Sequence, residues 1–299
     1  MRLSGPPVSQ EISDGDADYP QPLRNVEPRP ARFHWRGVAV DFSRAVSIVG
    51  TRKADDDGLE FARTLAETLA RRGVVIVSGG AFGIDAAAHE GALAGNGRTV
   101  AVLGTSVDDP HPRHHRSLFE RTAESGALLS TLGPRDPVRR TSFLERNRWI
   151  AALGAVTIVV QAPIRSGALS TAAHAKALAK PVLAVPWAPS DPRGAGCHFL
   201  IKEGARICTS VEDVLSVAPF GVRQPADKAP CSIEKPSDFL DVDEDGRAVW
   251  AAMSNRATHL DDIARKTGLP VQRVQRSVLM LLLRGHLVDR GGGQYRRVS

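Results

Sequence analysis

Cysteine is scarce: Cys197, Cys208 and Cys231 are the only three in 299 residues, and no C-x-x-C pair occurs. Neither a disulfide framework nor a structural zinc site is signalled, and a reducing, cytoplasmic setting fits best. No apolar stretch reaches the ~20 residues that a membrane span needs, and the N-terminus has no signal-peptide core, so no membrane association is expected. Neither G-x-G-x-x-G nor G-x-x-x-x-G-K-[ST] is present, which leaves dinucleotide and P-loop readings unsupported, and no cofactor is expected. No Ser-His-Asp order or paired carboxylates compel a catalytic reading. His111, His114 and His115 lack a Cys or carboxylate spaced to complete a metal site and are expected in a polar loop. Asp85 and His89 stand i, i+4 and are expected to cap a helix or lie on its surface.

Charge is present in moderate excess. Thirty-nine Lys and Arg against 33 Asp and Glu give a net +6, which suits an anionic partner without demanding one. Residues 1–40, rich in Pro and carrying Glu11, Asp14, Asp16 and Asp18, are expected to be a disordered leader. Short aliphatic runs then appear at 46–49, 74–77, 99–103, 127–129, 156–160 and 182–185. They do not alternate with polar residues, as in strands buried on both faces of a parallel sheet. Helical patterns lie between them, with Leu59, Ala62, Leu65, Ala66 and Leu69 on one stripe. This alternation predicts an α/β, doubly wound, mostly parallel sheet over 41–217, with its strand-to-helix loops gathered at one edge.

Residues 218–238 read as a linker, and 239–299 as a small helical unit. Thr258 is expected to cap its second helix and Gly268 to stop it. Pro270 opens a third helix, with Val271, Val274, Val278, Leu281 and Leu282 as its apolar stripe. The closing hairpin completes a winged-helix plan. Arg265, Lys266, Arg273, Arg276, Arg284, Arg290, Arg296 and Arg297 make it basic, which fits DNA but equally a protein-docking unit.

The chemistry concentrates at strand ends. "VVIVSGGAFGIDAAAH" puts Ser78, Gly79, Gly80, Phe82 and Gly83 where a strand meets a helix. Bare backbone and a helix N-terminus there suit an anion, and Ser78 offers a hydroxyl donor, although a tight turn needs the same residues. "IVGTRKA" places Gly50, Thr51 and Arg52 after another strand. "VVQAPIRSGALSTAAHA" places Arg165, Ser166 and Gly167 after a third, and "RRTSFLERNRW" supplies Arg139, Arg140, Arg146, Asn147 and Arg148. One phosphate needs one such turn. Several turns with arginines suggest a polyanion across the sheet edge.

These segments, in order over roughly residues 45–215, closely resemble the DprA (Smf, DNA-processing protein A) family. The resemblance rests on VG-T-R, SGG-x-x-GID-x-x-AH, RN-R-x-IA and SG-A-L-x-TA as they stand here. It implies an extended Rossmann fold with a C-terminal winged helix, binding single-stranded DNA as a homodimer. Such proteins load RecA onto incoming single strands in natural transformation, relieve the block imposed by single-strand-binding protein, and are not known as enzymes. Carried over by motif, Arg52, Ser78, Gly79, Gly80, Gly83, Asn147, Ser166 and Gly167 form the phosphate edge, with Arg146, Arg148 and Lys176 nearby. The family's Ser-Gly-Leu-Ala-Arg-Gly-Ile-Asp departs here at Gly80 and Phe82. One expected cation is thus missing, and an aromatic able to stack on a base replaces it. The Tyr-Pro-x-x-Asn loop becomes His111-Pro112-Arg113-His114-His115. Two readings from other classes stand beside this one. A phosphoribohydrolase-type enzyme would carry Pro-Gly-Gly-x-Gly-Thr followed by a catalytic Glu, but residues 162–169 offer no Glu. A winged-helix transcription regulator would bind duplex DNA by sequence.

Overall fold

The structure is a computed structural model that describes residues 9–24, 26–219, 243–253, 257–283, 286–289 and 292–297. The chain divides into two compact units, Met1–Gln224 and Pro225–Ser299. Most of the stretch read as a linker lies outside the described residues.

The first unit is built on seven parallel strands: β3 (Ala45–Val49), β4 (Val75–Ser78), β5 (Thr99–Leu103), β6 (Ala127–Ser130), β7 (Val156–Val159), β8 (Val182–Ala184) and β9 (Arg206–Ile207). Every residue of β3 to β8 is buried, which is why these strands read as unbroken aliphatic runs. The helices are α1 (Asp56–Arg71), α2 (Ile84–Ala94), α3 (Arg116–Ser125), α4 (Arg140–Leu153), α5 (Gly167–Ala177), α6 (Ala195–Lys202) and α7 (Val211–Val217). α1, α2 and α7 pack on one face through Leu65, Leu69, Ile84 and Val214. α4, α5 and α6 pack on the other through Ile150, Ala172 and Leu200.

Over residues 9–24 and 26–40 the structure holds ordered elements in place of the expected disordered leader, and residues 1–8 lie outside the described residues. Residues Ser9–Ser13 form β1 and Arg32–Gly37 form β2, antiparallel to each other, and β2 pairs antiparallel with β6 through Trp35 and Leu129. The full order is β1-β2-β6-β5-β4-β3-β7-β8-β9. Tyr19, Leu23, Phe33 and Trp35 enter the core beneath α4, and Phe33 meets Trp149 edge-on at 5.7 Å. Pro and Asp in this segment serve turns: the Asp16 carboxylate accepts from Ser13 N–H at 2.7 Å. The aromatic residues supply the burial that fixes the segment to the sheet.

The second unit contains α8 (Glu244–Ala252), β10 (Thr258–His259), α9 (Leu260–Thr267), α10 (Val271–Leu283), β11 (Leu287–Asp289) and β12 (Gln294–Arg297), with sheet order β10-β12-β11. Val249, Ile263, Val274, Val278 and Leu281 form its core. The α9 cap is His259 rather than Thr258, whose backbone instead pairs with Tyr295. Gly268, left-handed at φ 68°, ends α9.

Candidate functional site

The sheet winds outward from β3 in two directions, through β4, β5 and β6 on one side and β7, β8 and β9 on the other. α1 follows β3 and α5 follows β7 on opposite faces, so their loops part at the carboxyl edge. A groove of about 350 Å³ opens there. Gly50, Thr51, Arg52 and Lys53 come from the β3 loop, Arg165, Ser166 and Gly167 from the β7 loop, and Phe143, Arg146 and Asn147 from α4. Thr51 N–H donates to the Gln161 carbonyl at 2.6 Å and ties the two loops together. Arg52, Lys53 and Arg165 are exposed along the rim.

The helices that follow β3, β4 and β7 start beside this groove, and they differ in charge. α1 carries Asp56 and Asp57 in its first turn and is capped by Asp55. α2 carries Asp85. α5 has no acidic residue in its first turn. Its cap Ser166 accepts from Ala168 N–H at 3.3 Å, and Asn147 donates to the Gly167 carbonyl at 3.3 Å. The positive end of α5 therefore meets the groove without a carboxylate against it.

The Ser78–Gly83 turn behaves differently from the expectation placed on it. The Ser78 hydroxyl is buried and donates to the Ile48 carbonyl at 2.6 Å, so it is not a donor for an incoming anion. The turn already holds the Asp85 carboxylate, which accepts from Ala81 N–H at 3.4 Å. Gly79 lies under the Arg146 guanidinium: a Cβ there would stand 1.6 Å from Arg146 Nη1 and 2.7 Å from Asp85 Oδ2. Arg146 Nη1 donates to the Val102 carbonyl at 2.8 Å. Burial raises the Asp85 carboxyl above its ordinary range, against the pull of the Arg146 and Arg52 charges. Burial likewise lowers Arg146, with Asp85 opposing. Gly83, at φ 77°, lets the chain pass close to the Thr51 carbonyl, which accepts from Ile84 N–H at 3.2 Å. These glycines close an internal joint between three loops.

Asp85 and His89 are thus not on the surface. His89 is fully buried with Nδ1 2.7 Å from Thr99 Oγ1, and burial drives its pKa down to about 3. The loop histidines are solvent-facing or half-buried as expected, and His115 Nδ1 lies 3.0 Å from the Gly80 carbonyl. Beside the groove is a smaller pocket of about 190 Å³, walled by Arg52, Gly79, Phe82, His111, Pro112, Phe143 and Arg146. Phe82 is 44% exposed.

Residues 10–219 match the family model described as DNA recombination-mediator protein A, and residues 234–293 match the DprA winged helix domain. The chain belongs to this family. It is 40% identical over 251 residues to the putative DNA processing protein DprA of Mycobacterium tuberculosis, covering 83% of this chain and 63% of that protein. It is 37% identical to protein Smf of Escherichia coli, covering 95% of this chain and 76% of the relative. Among solved structures, DprA of Streptococcus pneumoniae superposes with a TM-score of 0.67 at 34% identity, over 71% of this chain and 75% of that one. DNA processing protein A of Helicobacter pylori gives 0.62 at 28% identity, over 69% and 93%, and its structure describes a single-stranded DNA binding mode of that protein.

Two residues carried over from the DprA resemblance fall away from the groove. Arg148 is two positions past Arg146 on α4 and points elsewhere: its Nη2 donates to the Glu27 and Pro28 carbonyls, both at 3.1 Å, and its guanidinium covers Trp149. Lys176 is in the last turn of α5, roughly 15 Å from the helix start, and donates to the Glu203 carbonyl at 2.8 Å. Two groove residues were missed by the motif transfer. Lys53 directly follows Arg52, and Phe143 joins Arg146, Asn147 and Ile150 on one i, i+3, i+4, i+7 stripe. In the DprA winged helix, Arg273 is held by both Asp245 carboxylate oxygens at 2.5 Å, and Arg297 covers Trp250. Arg284 and Arg290 lie outside the described residues.

Proposed function

We propose that this protein binds single-stranded DNA, without sequence preference and without chemistry on it, along the groove between the β3 and β7 loops. The observation that carries this reading is the meeting, in one groove, of exposed Arg52, Lys53 and Arg165 with the uncompensated N-terminus of α5. These groups hold phosphates and carry no base-edge code. Phe143 and Phe82 add faces on which any base can stack. The reading makes the protein a cytoplasmic recombination mediator: a homodimer that loads RecA onto incoming single strands in transformation and relieves the block by single-strand-binding protein. Ile207, 51% exposed on β9 at the end of the sheet, supports a self-contact there.

Fluorescence anisotropy with oligo-dT and a duplex of equal length, across a salt series, tests the binding step. The single strand is expected to win. Three groove cations predict that log K falls against log salt with a slope of about −2. RecA filament formation on a strand pre-coated with single-strand-binding protein tests the loading step. Equal or stronger affinity for duplex would remove the proposal and favour a duplex-binding regulator.

A further inference from the structure

The groove and the neighbouring 190 Å³ pocket share Arg52, Ala81, Phe143 and Arg146 as walls. The far wall of that pocket is His111-Pro112, and the residues on either side, Pro110 and Arg113, line a further cleft of about 640 Å³. Arg36, Asp108, Asp109, Arg116, Phe119 and Glu120 complete that cleft. The middle opening therefore adjoins the groove through shared walls and the cleft through residues 110–113.

Phe82 walls the middle opening, and His115 and Phe119 join it to the cleft. The Phe82 ring meets His115 edge-on at 4.6 Å and His114 at 6.2 Å, and His115 is in turn backed by Phe119 at 6.0 Å. A 44%-exposed ring braced by two further rings is a rigid ledge, costing little side-chain freedom when a base lies on it. Beyond the ledge, the side chains of Arg113 and Arg116 are 76% and 83% exposed. Each touches one carboxylate in an i, i+4 pair, Asp109 at 3.4 Å and Glu120 at 3.2 Å. Solvent-exposed pairs of this kind are worth only a few tenths of a kcal/mol. A phosphodiester offers a guanidinium the same kind of anionic oxygen pair and can take the place of either carboxylate.

We propose that a single strand held in the groove continues over the Phe82 ledge and is anchored a second time in this cleft, with Arg113 and Arg116 taking its phosphates. The proposal rests on the single-strand reading of the groove. The cleft sets three arginines against the three carboxylates Asp108, Asp109 and Glu120, so it has no net field to draw DNA from solution. It acts on a strand already tethered next to it, where the effective concentration is high. The second anchor is consequently a property of long strands only.

The test compares oligo-dT of about 6 and about 20 nucleotides, a range spanning common single-strand site sizes. The full-length wild type, Arg52→Ala, and a double variant Arg113→Ala/Arg116→Ala are measured across a salt series. The second anchor predicts that wild type binds the long oligonucleotide more tightly, with a steeper salt slope. The double variant is expected to match wild type on the short one, to lose about tenfold on the long one, and to flatten its salt slope by about 1.4 for two lost single-strand contacts. Phe82→Ala is expected to reduce the gain with length, and Phe82→Leu to recover little of it. Equal loss on both lengths, or no loss on the long one, overturns the second anchor while leaving the groove intact. Absence of short-strand binding in wild type, or an Arg52→Ala variant that binds as wild type does, overturns the groove reading itself and this extension with it.

Discussion

Gly79→Ala is a small substitution with a large expected consequence. Its Cβ would land 1.6 Å from Arg146 Nη1 and 2.5 Å from Arg146 Cζ. An ordinary contact needs about 3.5 Å, so the guanidinium has to move by about 2 Å. That movement breaks the 2.8 Å bond from Nη1 to the Val102 carbonyl and carries the charge away from Asp85. A hydrogen bond from a charged group is worth about 1.5–3 kcal/mol, and a buried carboxylate losing its neighbouring cation adds to the loss. The expected destabilisation is about 2–4 kcal/mol. Asp85 limits it by taking up a proton, so the effect shrinks as pH falls. Without the overlying arginine only the 2.7 Å approach to Asp85 Oδ2 remains, so most of the cost should disappear. Urea unfolding followed by circular dichroism, at pH 7.5 and with unchanged slope, reads the difference. In an Arg146→Ala background, Gly79→Ala is expected to cost much less, so the two changes are strongly non-additive. Stabilisation in the wild-type background, or equal destabilisation in both, would refute this account of the joint.

Three further outcomes are expected. His89, at about 3 when folded against an ordinary 6.5, takes up its proton first in the unfolded chain. Stability is therefore lost as pH falls below 6.5, by about 2 kcal/mol at pH 5, and His89→Gln should remove that loss in pH-dependent urea unfolding. Asp85 works the other way. Its folded carboxyl is raised above the ordinary 3.8, so its contribution declines as pH rises through that window, and Asp85→Asn should flatten the opposing slope. Arg148→Ala should destabilise the first unit by about 1 kcal/mol in thermal melts, by freeing the Glu27 and Pro28 carbonyls, yet leave the salt slope of DNA binding unchanged.

The parallel sheet was legible because its strands are aliphatic on both faces and its helices keep a 3.6-residue stripe between them. The N-terminal pair was not. β1 buries only Ile12, and its Pro- and Asp-rich surroundings conceal the alternation in Arg32-Phe33-His34-Trp35 that places two aromatic rings under α4. The strand ends were legible as a place, but their roles were less so. Ser78 belongs to the same kind of turn as Ser166, yet its hydroxyl is taken by a carbonyl thirty residues away on the neighbouring strand. Asp85 occupies the helix end that bare glycines would otherwise open to a ligand. Arg146 and Arg148 read alike in "RNR". On a helix they point about 200° apart, and only the seating of α4 on the sheet decides which one meets the groove. A motif names a helix without saying which of its ends meets the groove, and Lys176 lies in the last turn of α5, away from it.

The central claim is that the groove between the β3 and β7 loops is the single-strand site. It is tested most directly by the salt slope of oligo-dT binding in Arg52→Ala and Lys176→Ala, measured side by side with wild type. Arg52 lines the groove, whereas Lys176 sits at the far end of α5 on the Glu203 carbonyl. The account predicts a slope flatter by about 0.7 and weaker binding in Arg52→Ala, with Lys176→Ala indistinguishable from wild type. An unchanged Arg52→Ala, or a loss in Lys176→Ala equal to or greater than it, would contradict the account.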